Sequence, residues 1–504
     1  MRRTLWIVPA FGFLAWLSAA SPAGRAAGGE KEAAFRRYRA AFESLKRNHG
    51  DEAKKQKRIA LEEIGELRYP PSVRFLGRVL SEEDEPSLIT TALVALGKVG
   101  TVEAVQTAFR PAMNPRADDL FRDALPWGLK YAHDETAASW VARHMLRVGN
   151  ARLRRAAVES LGVMACAAGV DALIKALEDR DVTVAYEAAR ALGRIGDARA
   201  LASLHDLFAA KDWRLREAAA YALGHFEDEK GLGLLKTALL DDDWRVRESA
   251  VLSLKNRGNR DAVPALIRAV ADENRRVAVE IRETLKDFTG KDFGFEVKLW
   301  QSWWRAQGKK QEGPAKPELT APVVYHGIEV QSNRVLFIVD TSGSMDWGGR
   351  MGKAREELEK VVDSLEPRTM FNVMTFANGP LFFRKEMVPA TEETLEDFAE
   401  WMAKQAPYGG TNTYDTLQRA IEEIPGVDTI FFLSDGIPVT GKYIAQEKIL
   451  AEINNLNRFR KIRIHTIALL LGSAPAGVPE DKELAERFMK RLAEENQGEF
   501  ISVK

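Results

Sequence analysis

The segment Val335–Asp346, VLFIVDTSGSMD, decides how the C-terminal third of the chain is interpreted. Five large apolar residues run directly into Asp340, and three hydroxyl residues and a second acid follow it. An apolar run without polar alternation is typical of a strand buried on both faces, as in parallel sheets. We therefore expect Asp340 to stand at the carboxyl end of a central strand, where α/β sheets bind their ligands.

The rest of this region repeats the same alternation of apolar runs and amphipathic helical segments. Strands joined by helices predict an α/β doubly wound, Rossmann-like sheet. The segment 381–388 is expected to add an edge strand. The other predicted strands are at 334–340, 370–376, 429–435, 462–471 and 499–503.

Two predicted parallel strands end in aspartate, so both carboxylates are expected at one edge of the sheet. Hydroxyl residues alternate after the first aspartate, and the glycine-containing loop 408–415 supplies one more. Hard oxygen donors of this kind suit Mg²⁺, Mn²⁺ or Ca²⁺, and not zinc or copper. Since they carry at most two negative charges, a bound ion would stay electrophilic and could take a carboxylate from a partner. The candidate metal ligands are Asp340, Ser342, Ser344, Thr411 and Asp435.

These residues also carry a family resemblance. The motifs DTSGSM, GGTNTYDTL and FLSDGIP resemble the von Willebrand factor type A domain and its metal-ion-dependent adhesion site, over about residues 330–504. The family pattern Asp-x-Ser-x-Ser, Thr, Asp falls on the same five residues without a departure. The resemblance implies divalent-metal-dependent protein binding, with Mg²⁺ the expected ion and an Asp or Glu of a protein partner completing its coordination.

The preceding region is internally repetitive. Glycines at positions 65, 97, 128, 162, 193 and 224 are spaced by 32, 31, 34, 31 and 31 residues. The clearest copies, DWRLREAAAYALGHF from Asp212 and DWRVRESAVLSLKNR from Asp243, are 31 residues apart. Each unit predicts two short helices that bury their apolar faces only when stacked. We expect the repeated glycine near a helix end, as a left-handed cap.

The period and the R-x-x-A-A-x-A-L-G pattern resemble HEAT-type repeats of the short, phycobilisome-lyase-like kind, over about residues 51–290. The resemblance implies an all-α solenoid that acts as a scaffold or protein-binding surface. The Asp and Arg that recur at the start of the second helix favour a structural ladder between repeats, and a basic binding groove is the alternative.

The expected domain organisation is a signal peptide at 1–26, helical repeats at 31–305, a linker at 306–322 and the α/β domain at 323–504. Arg2 and Arg3, an apolar stretch and small residues indicate a secretory signal, with an uncleaved anchor helix as the alternative. The lead-in to the DTSGSM motif also resembles exported bacterial members of the family. We therefore expect a periplasmic or extracellular protein with no stable membrane span after cleavage. Trp300, Trp303 and Trp304 are expected to pack as core at the end of the repeats.

Several function classes lack sequence support. Lys plus Arg and Asp plus Glu both number 73, so bulk charge gives no reason to expect nucleic-acid binding. No G-x-S-x-G elbow, H-E-x-x-H motif or phosphate-binding loop is present. Ser342 stands where aspartyl-phosphate enzymes usually have a second acid. His465 and Cys166, the single cysteine, are expected to be packing residues.

The sequence therefore predicts a non-catalytic, divalent-metal-dependent binding or scaffold protein of the cell envelope, with the repeats as a second interaction surface. Two alternatives stay open. One is a metal-dependent hydrolase or phosphatase that uses the same five residues, and the other is a passive envelope scaffold.

Overall fold

The computed structural model describes residues 28–116, 119–306, 323–472 and 482–504. The chain divides into two compact units, Met1–Ala172 and Leu173–Lys504. The expected signal peptide at 1–26 and, apart from Ala306, the expected linker lie outside the described residues. Among the residues that are described, no helix is long and apolar enough to cross a membrane.

The first unit is built from short helices. Several begin at a side-chain cap: Thr101, Asp134 and Asn150 each accept a hydrogen bond from a backbone N–H in the first turn of the helix that follows. The helices are Gly28–Ser44, Asp51–Glu66, Val73–Glu82, Pro86–Val99, Val102–Ala112, Asp119–Leu129, Glu135–His144, Ala151–Met164 and Val170–Ala176.

The repeated glycine does not have the role expected for it. In the first unit, a Cβ on Gly97 would lie 2.0 Å from the carbonyl oxygen of Gly128. In the second unit, a Cβ on Gly193 would lie 2.6 Å from Ala222 Cα. The left-handed cap is instead Gly196, three residues later, with φ of 71°. The prediction that the repeated glycine adopts a left-handed conformation is wrong. Glycine is needed there because the second helices of neighbouring repeats come into close contact at this position.

The second unit opens with further helical repeats. Asp212 and Asp243 cap successive second helices by accepting a hydrogen bond from the backbone two residues on. The arginines of these helices also bridge to the next repeat, since Arg216 Nε lies 2.7 Å from Asp241 Oδ2 and Arg247 forms the equivalent ion pair at 2.7 Å. These pairs form the structural ladder. The helices are Val182–Ile195, Leu201–Asp206, Trp213–Leu223, Glu229–Ala238, Trp244–Arg257, Val263–Ala269, Arg275–Thr289 and Val297–Ala306.

The tryptophan cluster closes the last repeat, as expected, with one exception. Trp300 and Trp303 are buried, and the rings of Phe293 and Trp300 meet edge to face at 5.0 Å. Trp300 Nε1 donates a hydrogen bond of 2.9 Å to the Gly294 carbonyl. Trp304 is 38% exposed, so it is not part of this core.

The C-terminal part of the second unit, residues 323–504, is the sheet domain. The strands are β1 (Val324–Tyr325), β2 (Ile328–Glu329), β3 (Arg334–Asp340), β4 (Met370–Phe376), β5 (Pro380–Phe382), β6 (Val388–Pro389), β7 (Thr429–Ser434), β8 (Arg463–Leu469) and β9 (Phe500–Val503). The main sheet has the order β5-β4-β3-β7-β8-β9, with β6 beside β4. Strands β4, β3, β7, β8 and β9 are parallel, which confirms the predicted doubly wound α/β fold.

Helices cover both faces of this sheet. Phe337 and Phe431 belong to the core on one face, and Ile338 and Phe432 to the core on the other. Burial on both sides explains why the central strands lack polar alternation. The covering helices are Arg350–Asp363, Glu392–Ala403, Thr413–Glu423, Gln446–Asn457 and Lys482–Glu495.

The prediction of one edge strand at 381–388 is wrong, because this segment contains two short strands, β5 and β6. Between these two strands, the side chain of Asn372 on β4 makes the hydrogen bonds that strand pairing would otherwise make. Its Nδ2 donates to the carbonyls of Arg384 at 2.8 Å and Glu386 at 2.9 Å, and its Oδ1 accepts from the Arg384 amide at 3.2 Å.

Within the second unit, the repeats contact the amino edge of the sheet. Arg276 Nη1 donates to the carbonyl of Asp428, just before β7, at 3.1 Å and to that of Lys461 at 2.7 Å. Asp435 follows the other end of β7, about 20 Å away at the usual rise of a strand. The predicted metal ligands therefore lie at the edge of the sheet opposite the repeats.

Candidate metal-binding site

The sheet topology brings the two predicted acidic ligands together. Strands β3 and β7 are hydrogen-bonded neighbours, with Val339 opposite Leu433. The chain passes from β3 to β4 on one side and reaches β7 on the other, so the strand order reverses between β3 and β7. Asp340 and Asp435 consequently meet at the crevice where doubly wound sheets bind ligands.

A chain of hydrogen bonds connects four of the five predicted residues. Ser342 Oγ lies 3.2 Å from Ser344 Oγ, and Ser344 Oγ donates to Asp435 Oδ1 at 2.9 Å. The Ser342 backbone N–H donates to Asp340 Oδ1 at 2.7 Å. Two serines that are alternate in sequence thus connect the carboxylates of two strands.

Thr411, the fifth predicted ligand, lies close to Asp435 but has no hydrogen bond to the other four in this chain of contacts. It is buried, and its Oγ1 lies 3.8 Å from the position that a Cβ on Gly436 would take, directly after Asp435. The amide of Gly343 donates to Gly409 O at 3.0 Å, and the amide of Val439 donates to Thr411 O at 3.0 Å. These backbone bonds hold the threonine loop between the two motif loops.

Burial raises the pKa values of the two carboxyl groups. Burial and, to a smaller extent, the neighbouring charge of Asp435 raise the pKa of Asp340 to about 7. Burial also raises the pKa of Asp435, although hydrogen bonds from Arg350 and Ser344 oppose this effect. Two close, buried carboxylates favour either a proton or an added cation.

Two residues that sequence reasoning missed complete the site. Arg350 is fully buried and its Nη1 donates to Asp435 Oδ2 at 2.7 Å. Ser434 Oγ donates to Asp340 Oδ2 at 2.5 Å. The position of Ser434 directly before Asp435 was a usable signal, since the ends of β3 and β7 are adjacent. No local pattern marks Arg350.

The donor set fits a hard divalent cation. Within the described ranges, no group of three or more His, Cys, Asp or Glu residues could hold a metal. A metal at this edge would therefore depend on hydroxyl oxygens together with the two carboxylates, a combination suited to Mg²⁺ and unsuited to zinc.

The structure gives His465 and Cys166 packing environments. The His465 ring stacks on Phe431 at 4.7 Å and accepts a hydrogen bond from the Glu499 amide, and burial lowers its pKa to about 3. Burial raises the pKa of the Cys166 thiol to about 11, which is opposite to the shift that activates a nucleophilic cysteine.

Comparisons with known proteins identify both kinds of module. The family model of the von Willebrand factor type A domain matches residues 333–500, and that of HEAT repeats matches 141–224 and 207–286. The chain is 32% identical to human inter-alpha-trypsin inhibitor heavy chain H4 over 127 residues, which are 23% of this chain and 14% of that protein. It is 29% identical to heavy chain H2 of Mesocricetus auratus over 175 residues, 32% of this chain and 17% of that protein. The chain spans less than a fifth of these relatives.

Two solved structures are similar to parts of the chain. One is a von Willebrand factor type A protein from Catenulispora acidiphila, with 17% identity, a TM-score of 0.29, and coverage of 34% of this chain and 38% of that chain. Another is human deoxyhypusine hydroxylase, with 16% identity, a TM-score of 0.24, and coverage of 52% of this chain and 98% of that chain.

Proposed function

We propose that this chain, which joins HEAT repeats to a von Willebrand factor type A domain, is a non-catalytic protein-binding protein of the cell envelope. The sheet domain would hold a divalent cation, Mg²⁺ first and Mn²⁺ or Ca²⁺ as alternatives. A protein partner would supply an Asp or Glu to that cation, and the repeats would provide a second interaction surface. The proposed ligands are Asp340, Ser342, Ser344, Thr411 and Asp435.

The observation that carries the proposal is the position of the Ser344 hydroxyl. It lies 3.2 Å from the Ser342 hydroxyl and 2.9 Å from Asp435 Oδ1, a residue 91 positions away in the sequence. The side-chain oxygens of three candidate ligands therefore form a continuous row, each within hydrogen-bond distance of the next. A cation could replace these hydrogen bonds with coordination by the same atoms.

The chain's own residues would hold and orient the ligands. The Ser342 amide and the Ser434 hydroxyl fix the two oxygens of Asp340. Ser344 and Arg350 fix the two oxygens of Asp435. The bound cation would supply a Lewis-acidic position, which neutral hydroxyl ligands leave strongly attractive to a partner's carboxylate.

The environment of the serines supports a binding role. Their hydroxyls bond to each other and to Asp435, and among the described residues no histidine is a hydrogen-bond partner of either one. A serine nucleophile needs an adjacent base oriented by a third group. Ser342 and Ser344 are therefore better suited to coordination than to attack on a substrate.

The test of metal binding is calorimetric titration of the full chain with MgCl₂ and MnCl₂. Wild type should bind in the millimolar range or better, and Asp340→Ala should lose binding. Asp346→Ala is the matched control, because this acid belongs to the same motif but is exposed. Absence of heat and of chemical-shift changes with wild type at millimolar metal would contradict the site.

The binding role has its own test. Partners captured from an envelope fraction should be retained with Mg²⁺ and released by a chelator. Turnover of ester or phosphate substrates that disappears in Asp340→Ala would instead favour a hydrolase. Equal capture by wild type and Asp340→Ala would favour a passive scaffold.

Export is supported by the N-terminal sequence pattern. Fractionation followed by N-terminal sequencing of the mature protein tests it. A mature chain that begins after Ala20 or Ala26 agrees with a cleaved signal, and an intact Met1 in a membrane fraction would favour the anchor.

A further inference from the structure

A cavity of about 290 Å³ lies where the repeats of the second unit face the sheet domain. Its repeat wall comes from the helices Val182–Ile195, Trp213–Leu223 and Trp244–Arg257. Lys461 and Gln497 form its sheet-domain wall. This volume is at the lower limit of small-molecule sites, so the cavity suits a small ligand. We name it the repeat–sheet cavity.

The cavity contains a carboxylate with one buried oxygen that has no hydrogen bond. Glu217 is only 5% exposed, and its Oε1 lies 3.6 Å from both Arg190 Nη1 and Lys461 Nζ. Its Oε2 is buried and has no hydrogen-bond partner. Because a buried carboxylate oxygen without a donor is costly, this atom favours a ligand that donates a hydrogen bond.

Arg190, beside Glu217, has the complementary capacity. Its guanidinium carbon lies 3.7 Å from the centre of the Tyr221 ring, which holds the group in place by stacking. Its polar contacts with Glu217 and the Tyr186 hydroxyl are long, 3.6 Å and 3.5 Å. A guanidinium has five N–H donors, so it can still receive an anionic group.

The other charged groups in this cavity are better satisfied. Glu248 receives two hydrogen bonds from Arg276, with Nη2 and Oε2 at 2.8 Å. Arg245 donates to Asp243 through two nitrogens, at 2.9 and 2.7 Å. The unused donors and acceptors of the cavity are therefore concentrated on the neighbouring pair Glu217 and Arg190.

The sheet-domain wall has an unusual backbone. Lys461 and Gln497 both have left-handed φ, 57° and 58°, although neither is glycine. Both residues follow the end of a helix, where the Lys461 amide donates to the Asn457 carbonyl at 3.0 Å and the Gly498 amide to the Ala493 carbonyl at 2.9 Å, so this conformation closes a helix. Their side chains contact the repeats: Lys461 Nζ donates to Tyr186 Oη at 2.7 Å and Gln497 Oε1 accepts from Arg276 at 3.3 Å.

We propose that the repeat–sheet cavity binds a small zwitterion of the amino-acid class. The ligand's ammonium group donates to Glu217, and its carboxylate accepts from the Arg190 guanidinium. A purely anionic ligand would meet the charges of Glu217 and Glu248, and a purely cationic one those of Arg190, Arg245 and Lys461. Only a molecule with both charges complements both members of the pair. This binding is independent of the metal proposed at the opposite edge of the sheet.

The test is calorimetric titration of the full chain, in a chelator, with glycine, β-alanine and γ-aminobutyric acid. Sodium acetate and methylammonium chloride present each charge separately. At least one zwitterion should bind, and neither separate ion should match it. Glu217→Gln should weaken that binding at least tenfold. Glu229→Gln, an exposed acid on the next repeat helix, should leave it unchanged.

A second variant tests the proposal without altering the charged pair. Leu252 lines the cavity and is 40% exposed, so Leu252→Trp should block the entrance while the protein still folds. Loss of zwitterion binding in this variant supports the assignment. The proposal is overturned if no zwitterion binds wild type, if acetate or methylammonium binds as well as a zwitterion, or if folded Glu217→Gln binds normally. In those cases the cavity holds water only.

Discussion

Arg350 Nη1 lies 2.7 Å from Asp435 Oδ2, and neither side chain is exposed to solvent. Arg350 Nε also donates to the Leu471 carbonyl at 2.7 Å, so the guanidinium is anchored on two sides. The candidate metal site therefore contains one internal cation for two carboxylates. Its remaining charge is what a bound cation would neutralise.

Removing this internal cation should destabilise the sheet domain strongly. Arg350→Ala leaves Asp435 buried without its ion pair, and breaking such a pair costs about 3–5 kcal/mol. Urea unfolding followed by circular dichroism measures the change. The control is Arg419→Ala, whose partner Glu423 and own side chain are both more than 40% exposed, and whose loss should cost less than about 1 kcal/mol. Equal effects of the two variants would contradict the importance of burial.

The stability of the metal-free protein should fall as pH rises toward and through 7. The pKa of Asp340 is raised to about 7 in the folded state, above the ordinary value near 4 of an unfolded chain. Between these two values the folded state binds more protons, so the free energy of unfolding decreases with increasing pH. Asp340→Asn should remove this slope. Thermal unfolding in a chelator at pH 5, 6, 7 and 8 measures it, and an identical slope in the variant would contradict the assignment.

The affinity for divalent metal should have the opposite pH dependence and increase as pH rises. Since a cation binds the ionised carboxylates, Mg²⁺ affinity should be weaker at pH 5.5 than at pH 8. Calorimetric titration at both values measures it. Stronger binding at the lower pH would show that Asp340 is not a ligand.

Loss of Arg276 should weaken the connection between the repeats and the sheet domain. Arg276→Ala removes two hydrogen bonds to sheet-domain carbonyls and leaves the buried Glu248 with only a 3.8 Å ion pair to Arg463, at a cost of up to about 3–5 kcal/mol. Hydrogen exchange should increase around Asp428. Arg275→Ala is the control, because this neighbour is 33% exposed and its ion pair with Glu366 is 3.9 Å long. Unchanged exchange in Arg276→Ala would contradict the docking.

The repeated glycine offers a matched pair of substitutions. Gly193→Ala puts a Cβ 2.6 Å from a backbone carbon of the next repeat and should destabilise by about 1–3 kcal/mol. Gly233→Ala, in the helix Glu229–Ala238, meets nothing within 4 Å and should stabilise by up to about 1 kcal/mol. Equilibrium unfolding measures both. A neutral Gly193→Ala would show that the helices can move apart at little cost.

The sequence was sufficient for the parts of the structure that depend on local pattern. Apolar runs ending in acids predicted two central strands with Asp340 and Asp435 at one edge, because parallel strands share their direction. The helical repeats followed from the 31-residue period. The role of Arg350 was out of reach, since its pairing depends on how a helix packs against a strand 85 residues away.

Other differences have the same origin. The repeated glycine looked like a cap because caps are local, whereas its actual constraint is the backbone of another repeat. The docking of Arg276 on Asp428 joins residues 152 positions apart and leaves no periodic trace in either segment. Contacts between modules were therefore not predictable from the patterns within each one.

The contact between Arg276 and Asp428 also has a mechanical consequence. Asp428 directly precedes β7 and Asp435 directly follows it. A tensile force applied at Asp435 would therefore reach the repeats through this one strand. Force would run along the covalent backbone of β7 and pass to the repeats through the hydrogen bond from Arg276 to the Asp428 carbonyl. On the proposed function, in which the metal site holds a partner, this strand would transmit load between the two attachment points with little stretching.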